Sequence, residues 1–82
     1  MVDSKAEESI DKYIELGYPY ASGLDKQRLR FMLIEKHKAK LKHFANPSRE
    51  TAWLLGCHET AVRAAEQDIV ANYMYEKEGK WR

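Results

Sequence analysis

A chain of 82 residues with a net charge of +1 has room for one small domain, and none for an enzyme cleft on a separate scaffold. Its single cysteine excludes an internal disulfide framework, and no apolar run nears the roughly 18–20 residues of a membrane span. Charge is uneven along the chain: residues 1–25 carry two basic against six acidic side chains, residues 26–45 seven against one, and residues 46–82 five against six. The acidic N-terminus is unlike a signal peptide, so the expected setting is cytoplasmic, without a membrane partner.

The first predicted helix opens at Ser4, where Ser4 and Glu7 have capping-box spacing. Ala6, Ile10, Tyr13 and Ile14 recur on one face, and Leu16-Gly17 ends the helix. Tyr18-Pro19-Tyr20 then forces an extended loop, because the residue before proline avoids helical angles. These tyrosines pack over the end of a core or face a ligand; packing is the favoured reading.

Ser22 with Asp25 marks a second, longer helix to about Phe44. The run Phe31 to Ile34 is apolar on nearly all sides, which predicts central burial. The later half, EKHKAKLKHF, is basic, and its cations suit the negative end of the helix dipole. Asn46-Pro47 fits a cap followed by proline in the first helical position, starting a third helix over 47–55. Gly56 fits a left-handed C-cap, and a fourth helix follows from His58 to about Tyr75, with Val62, Ala65, Ile69 and Tyr73 facing inward. Leu55, Cys57, Val62 and Ala65 would close a small wedge between the last two helices. The expected fold is a compact all-α four-helix domain over residues 1–78, with a frayed tail at 79–82 that holds Trp81.

The stretch TAWLLGCHETAVRAAEQDI, with Ala52, Gly56 and Val62 at characteristic spacing, resembles the helix-turn-helix of bacterial and phage transcription regulators. Its continuation VRAAEQ resembles the second helix of sigma factor region four. The resemblance implies a helix-turn-helix over 47–75 that places His58, Thr60, Arg63 and Gln67 toward duplex DNA. Arg63 would pair with guanine, Gln67 with adenine, and Thr60 with phosphate. From His58 to Asn72, however, one arginine stands against Glu59, Glu66 and Asp68. Phosphate neutralisation would therefore fall to Lys36, Lys38, Lys40 and Lys42 of the second helix. Those lysines either flank a DNA groove or form a solvated face matched by the acidic first helix.

Trp53 and Leu54 depart from the family pattern, which has polar residues there. Cover by the first two helices is the favoured expectation, and cover by a second copy or another protein is the alternative. The alternative function is accordingly a helix-turn-helix-shaped module that binds a polymerase or another DNA-handling protein. No cofactor is expected. His37, His43 and the adjacent Cys57-His58 lack the spacing of a zinc site, and nothing in the pattern suggests catalysis.

Overall fold

The computed structural model describes the chain from residue 4 to residue 78, with side chains as far as Met74. The expected tail at 79–82 lies outside the described residues. Three helices are present: α1 (Ser4–Gly17), α2 (Gly23–Ala45) and α3 (Arg49–Glu78). The all-α expectation holds. None of these helices is long and apolar enough to cross a membrane.

Boundaries in the first half follow local chemistry. The Tyr18 N–H donates to the Ile14 carbonyl at 2.7 Å and closes α1. Ser22 caps α2, its Oγ accepting from the Asp25 N–H at 3.1 Å, as its spacing predicts. At the other end of α2, Asn46 leaves helical geometry while its N–H still reaches the Lys42 carbonyl at 2.9 Å.

The second half differs from the sequence reading in two ways. Asn46 closes α2 rather than opening the next helix, and Ser48 supplies the cap of α3. Its Oγ accepts from the Thr51 N–H at 3.1 Å, while Thr51 Oγ1 accepts from the Ser48 N–H at 3.0 Å. This is a reciprocal capping box with threonine in the place usually held by glutamate. Pro47 precedes the cap and is not the first helical residue.

More consequentially, α3 runs through Gly56 without a break, so the described chain has three helices and the turn expected at 56–58 is a helix interior. Gly56 does not adopt left-handed angles, and a Cβ there would meet nothing within 4 Å. Glycine in a helix costs about 1 kcal/mol relative to alanine, too little to stop a helix flanked by Ala, Leu, Glu and Arg. No proline or polar stop comes after it, and Val62 and Ile69 anchor the continuation against α2.

The buried core is Ile14 of α1, Leu29 of α2, and Val62 and Ile69 of α3. Ile10, Tyr18, Ala21, Met32, Leu33 and Ala65 pack around it. The inner face assigned to Val62, Ala65 and Ile69 is therefore correct, but it meets α2 rather than a preceding short helix. Cys57, expected in an apolar slot of the turn, is exposed.

α2 is the central element. α1 and α3 each pack along it and approach one another only through side chains. With two neighbours, α2 cannot be covered all round. Phe31, expected to be buried, is 63% exposed, while Met32, Leu33 and Ile34 are half-buried.

Candidate interaction surfaces

The acidic first helix does neutralise part of α2, but not the lysines assigned to DNA. Arg30 Nε donates to Asp11 Oδ1 at 2.6 Å and Arg30 Nη2 to Glu7 Oε1 at 3.4 Å. Lys26 Nζ reaches Glu15 Oε1 at 3.3 Å. The Asp11 carboxylate raises the already high pKa of Arg30, chiefly through their hydrogen bond. Glu7, read from sequence as a cap, thus sends its carboxylate across to α2.

Lys36, Lys38, Lys40 and Lys42 do not form one face. Residues two apart on a helix point about 200° apart, so the four divide into Lys36 with Lys40 and Lys38 with Lys42. Lys36 and Lys40 border a cleft against α1 with Ser9, Ile10 and His37. Lys38 pairs with Glu35 at 3.4 Å. Lys42 lies on the other side, near Leu54 and His58 of α3.

The residues expected to read bases are also divided. Thr60 is exposed, but its hydroxyl donates to the Gly56 carbonyl at 3.0 Å, four residues back in the same helix. His58 is half-buried beside Thr51 and Ala39. Arg63 lines a cleft of about 550 Å³ between α1 and α3, with Lys36 on the α2 side and Glu59 and Glu66 on its own helix. Gln67 lies beyond Arg63 in a neighbouring cleft with Val70 and Met74.

A hydrogen bond crosses the larger cleft. The Tyr13 hydroxyl donates to Glu66 Oε2 at 2.6 Å, and this bond to a carboxylate is the main cause that pushes the phenol pKa upward. Sequence placed Tyr13 on an inner face but offered no sign that Glu66 was its acceptor, because the pairing joins helices 53 residues apart. Tyr13, Tyr18 and Tyr20 make successive edge-on contacts, and Tyr20 stacks on Tyr73 with ring centroids 4.0 Å apart. These tyrosines therefore tie the α1–α2 loop to α3, in keeping with the packing reading.

At the opposite end, Thr51 joins α2 to α3. It is buried, and its Oγ1 lies 2.8 Å from His43 Nδ1 while also bonding with Ser48. The Ser48-to-Thr51 spacing was the available sequence signal for this cluster. Two residues further along α3, the expectation of internal cover fails: Trp53 is 66% exposed and Leu54 36%. Both project from the first turns of α3, where α1 does not reach. Among the described residues no group of three or more His, Cys, Asp or Glu could hold a metal ion.

Compared with protein-family models, curated proteins and solved structures, the chain matches none.

Proposed function

We propose that this chain is a small helical protein-interaction module whose docking surface is the Trp53–Leu54 face of α3. The observation that carries this reading is Trp53 itself, a large aromatic side chain two-thirds exposed on a rigid helix. Tryptophan is among the residue types most enriched in the side chains that dominate protein–protein affinity. The capping box of Ser48 and Thr51, tied to His43 of α2, holds the first turns of α3 in place. An anchor presented from an already ordered helix loses little further freedom on binding.

Duplex DNA has weaker support. Its four lysines lie on two sides of α2, and Arg63 stands between two glutamates. The helix-turn-helix resemblance rests on residue spacing alone, since the segment is one uninterrupted helix.

Three measurements test the proposal. In a Trp81→Phe background, the emission of Trp53 in dilute protein should be red-shifted and readily quenched by acrylamide; blue-shifted, protected emission would sink the reading. Trp53→Ala should change stability by no more than about 0.5 kcal/mol, as expected for an exposed side chain. The same substitution should abolish retention of a cellular protein that the parent retains and that Lys38/Lys40/Lys42→Ala still retains. Salt-dependent binding to duplex DNA that is lost with the lysine triple variant and kept by Trp53→Ala would return the chain to the DNA class.

A further inference from the structure

Of the large apolar residues that α2 leaves exposed, Leu24, Phe31 and Leu41 fall on one line and Phe44 lies beside it. Leu24, Gln27, Phe31, Ile34, Lys38, Leu41 and Ala45 are spaced alternately three and four residues apart, which is a coiled-coil seam. Along it, Leu24 is 78% exposed, Phe31 63% and Leu41 45%, while Ile34 is half-buried and Gln27, Lys38 and Ala45 are exposed. A helix of 23 residues extends about 34 Å, so the seam runs nearly the full length of α2. Trp53 is not among the seam positions, although the seam's Lys38 lines a cleft together with Leu54.

We infer that this seam is occupied by α2 of a second copy of the chain, packed antiparallel. In an antiparallel pairing centred between Met32 and Leu33, Leu24 meets the second copy's Leu41 and Phe31 meets its Ile34. Gln27 meets its Lys38, so the two polar positions of the seam face each other. By symmetry each layer occurs twice, giving four apolar layers and two polar ones. Flanking the seam, Arg28 falls near the second copy's Glu35, again twice, with opposite charges. A parallel pairing would instead set Lys38 against Lys38, a like-charge contact in the middle of the seam. The sequence of α2 is thus complementary to itself in one direction only, which singles out a second copy rather than an unrelated helix. A one-helix seam lies toward the small end of specific interfaces, so the dimer is expected to exchange with monomer rather than to be permanent.

Sedimentation equilibrium of the full chain over a concentration series tests this. The average mass should rise from 9.6 kDa toward twice that value. Phe31→Ser should weaken association at least about tenfold, as removal of a central anchor does. Leu16→Ser, an exposed leucine on α1 away from the seam, should leave it unchanged. Arg28→Glu and Glu35→Arg should each weaken the dimer, and the double swap should restore it, because only antiparallel self-pairing brings these two positions together. Melting curves of each variant confirm that the fold survives; Arg28 borders Asp25 and Asp68, so Phe31→Ser remains the decisive variant should Arg28→Glu unfold. A chain that stays at 9.6 kDa up to about 1 mM overturns the inference, as does a dimer that ignores Phe31 or that is lost with Trp53→Ala instead. A persistent monomer does not bear on whether Trp53 docks another protein, whereas loss of the dimer with Trp53→Ala would put the second copy on the Trp53 face.

Discussion

The two ends of this molecule are held together by different physics. At one end, the later half of α1, the start of α2 and the second half of α3 enclose Ile14, Leu29, Val62 and Ile69, edged by paired charges and the tyrosine contacts. At the other end, the close of α2 and the start of α3 are joined by the hydrogen bonds of Thr51, while Leu41, Phe44 and Trp53 face outward. The first end is stabilised mainly by removing apolar surface from water, although Leu24 at the start of α2 stays exposed. The second is stabilised mainly by directional bonds among Ser48, Thr51 and His43, so its apolar side chains stay available.

The largest expected effect lies in the core end. Leu29 is completely buried, and Leu29→Ala should cost about 2–5 kcal/mol through lost transfer energy and the cavity left behind. That is a large fraction of the stability of so small a domain, and a thermal melt followed by circular dichroism reads it directly. A cost near zero would mean that the four core residues do not carry this end.

At the polar end, Thr51→Val keeps the shape but removes the hydroxyl that the Ser48 N–H donates to and that lies against His43. Left without that oxygen, these groups should cost about 1–3 kcal/mol in a denaturant titration. If Thr51→Val melts like the parent, the contrast between the ends disappears.

Gly56→Ala sharpens the comparison with the opposite sign. In a continuous helix with open space at the Cβ position, alanine should stabilise by about 0.5–1 kcal/mol, raising the melting temperature by several degrees. A loss of stability would instead indicate a left-handed turn and restore the expected break in α3.

The smallest effect concerns the bond across the cleft. Tyr13→Phe should cost at most about 1 kcal/mol, because the Tyr13–Glu66 pair is exposed to solvent. Its pH signature is more distinctive. A phenol whose pKa is raised on folding contributes stability that is fully present below the ordinary tyrosine value of 10.0 and is lost as pH rises through the raised value. Stability should therefore fall above about pH 10, and Tyr13→Phe should remove the most alkaline step from the phenolate absorbance titration.

Much of the local structure was legible from residue order. The span of α1, the Ser22 cap and extent of α2, and the inward positions Val62, Ala65 and Ile69 reflect hydrophobic period and capping chemistry, which act within a few residues. Residue order likewise indicated an all-α domain with no membrane-spanning run. Only the tertiary structure decided whether Gly56 stops a helix, because a penalty near 1 kcal/mol is overridden once residues on both sides of it pack against α2. It also decided which apolar faces are covered. Phe31 and Trp53 carry the side chains of core residues, but α2 has more apolar circumference than its two neighbours can bury, and Trp53 projects from the first turns of α3. The pairing of Tyr13 with Glu66, and the diversion of Glu7 from capping to Arg30, join residues far apart in the chain. Such contacts depend on how the helices are placed against one another, which no local pattern encodes.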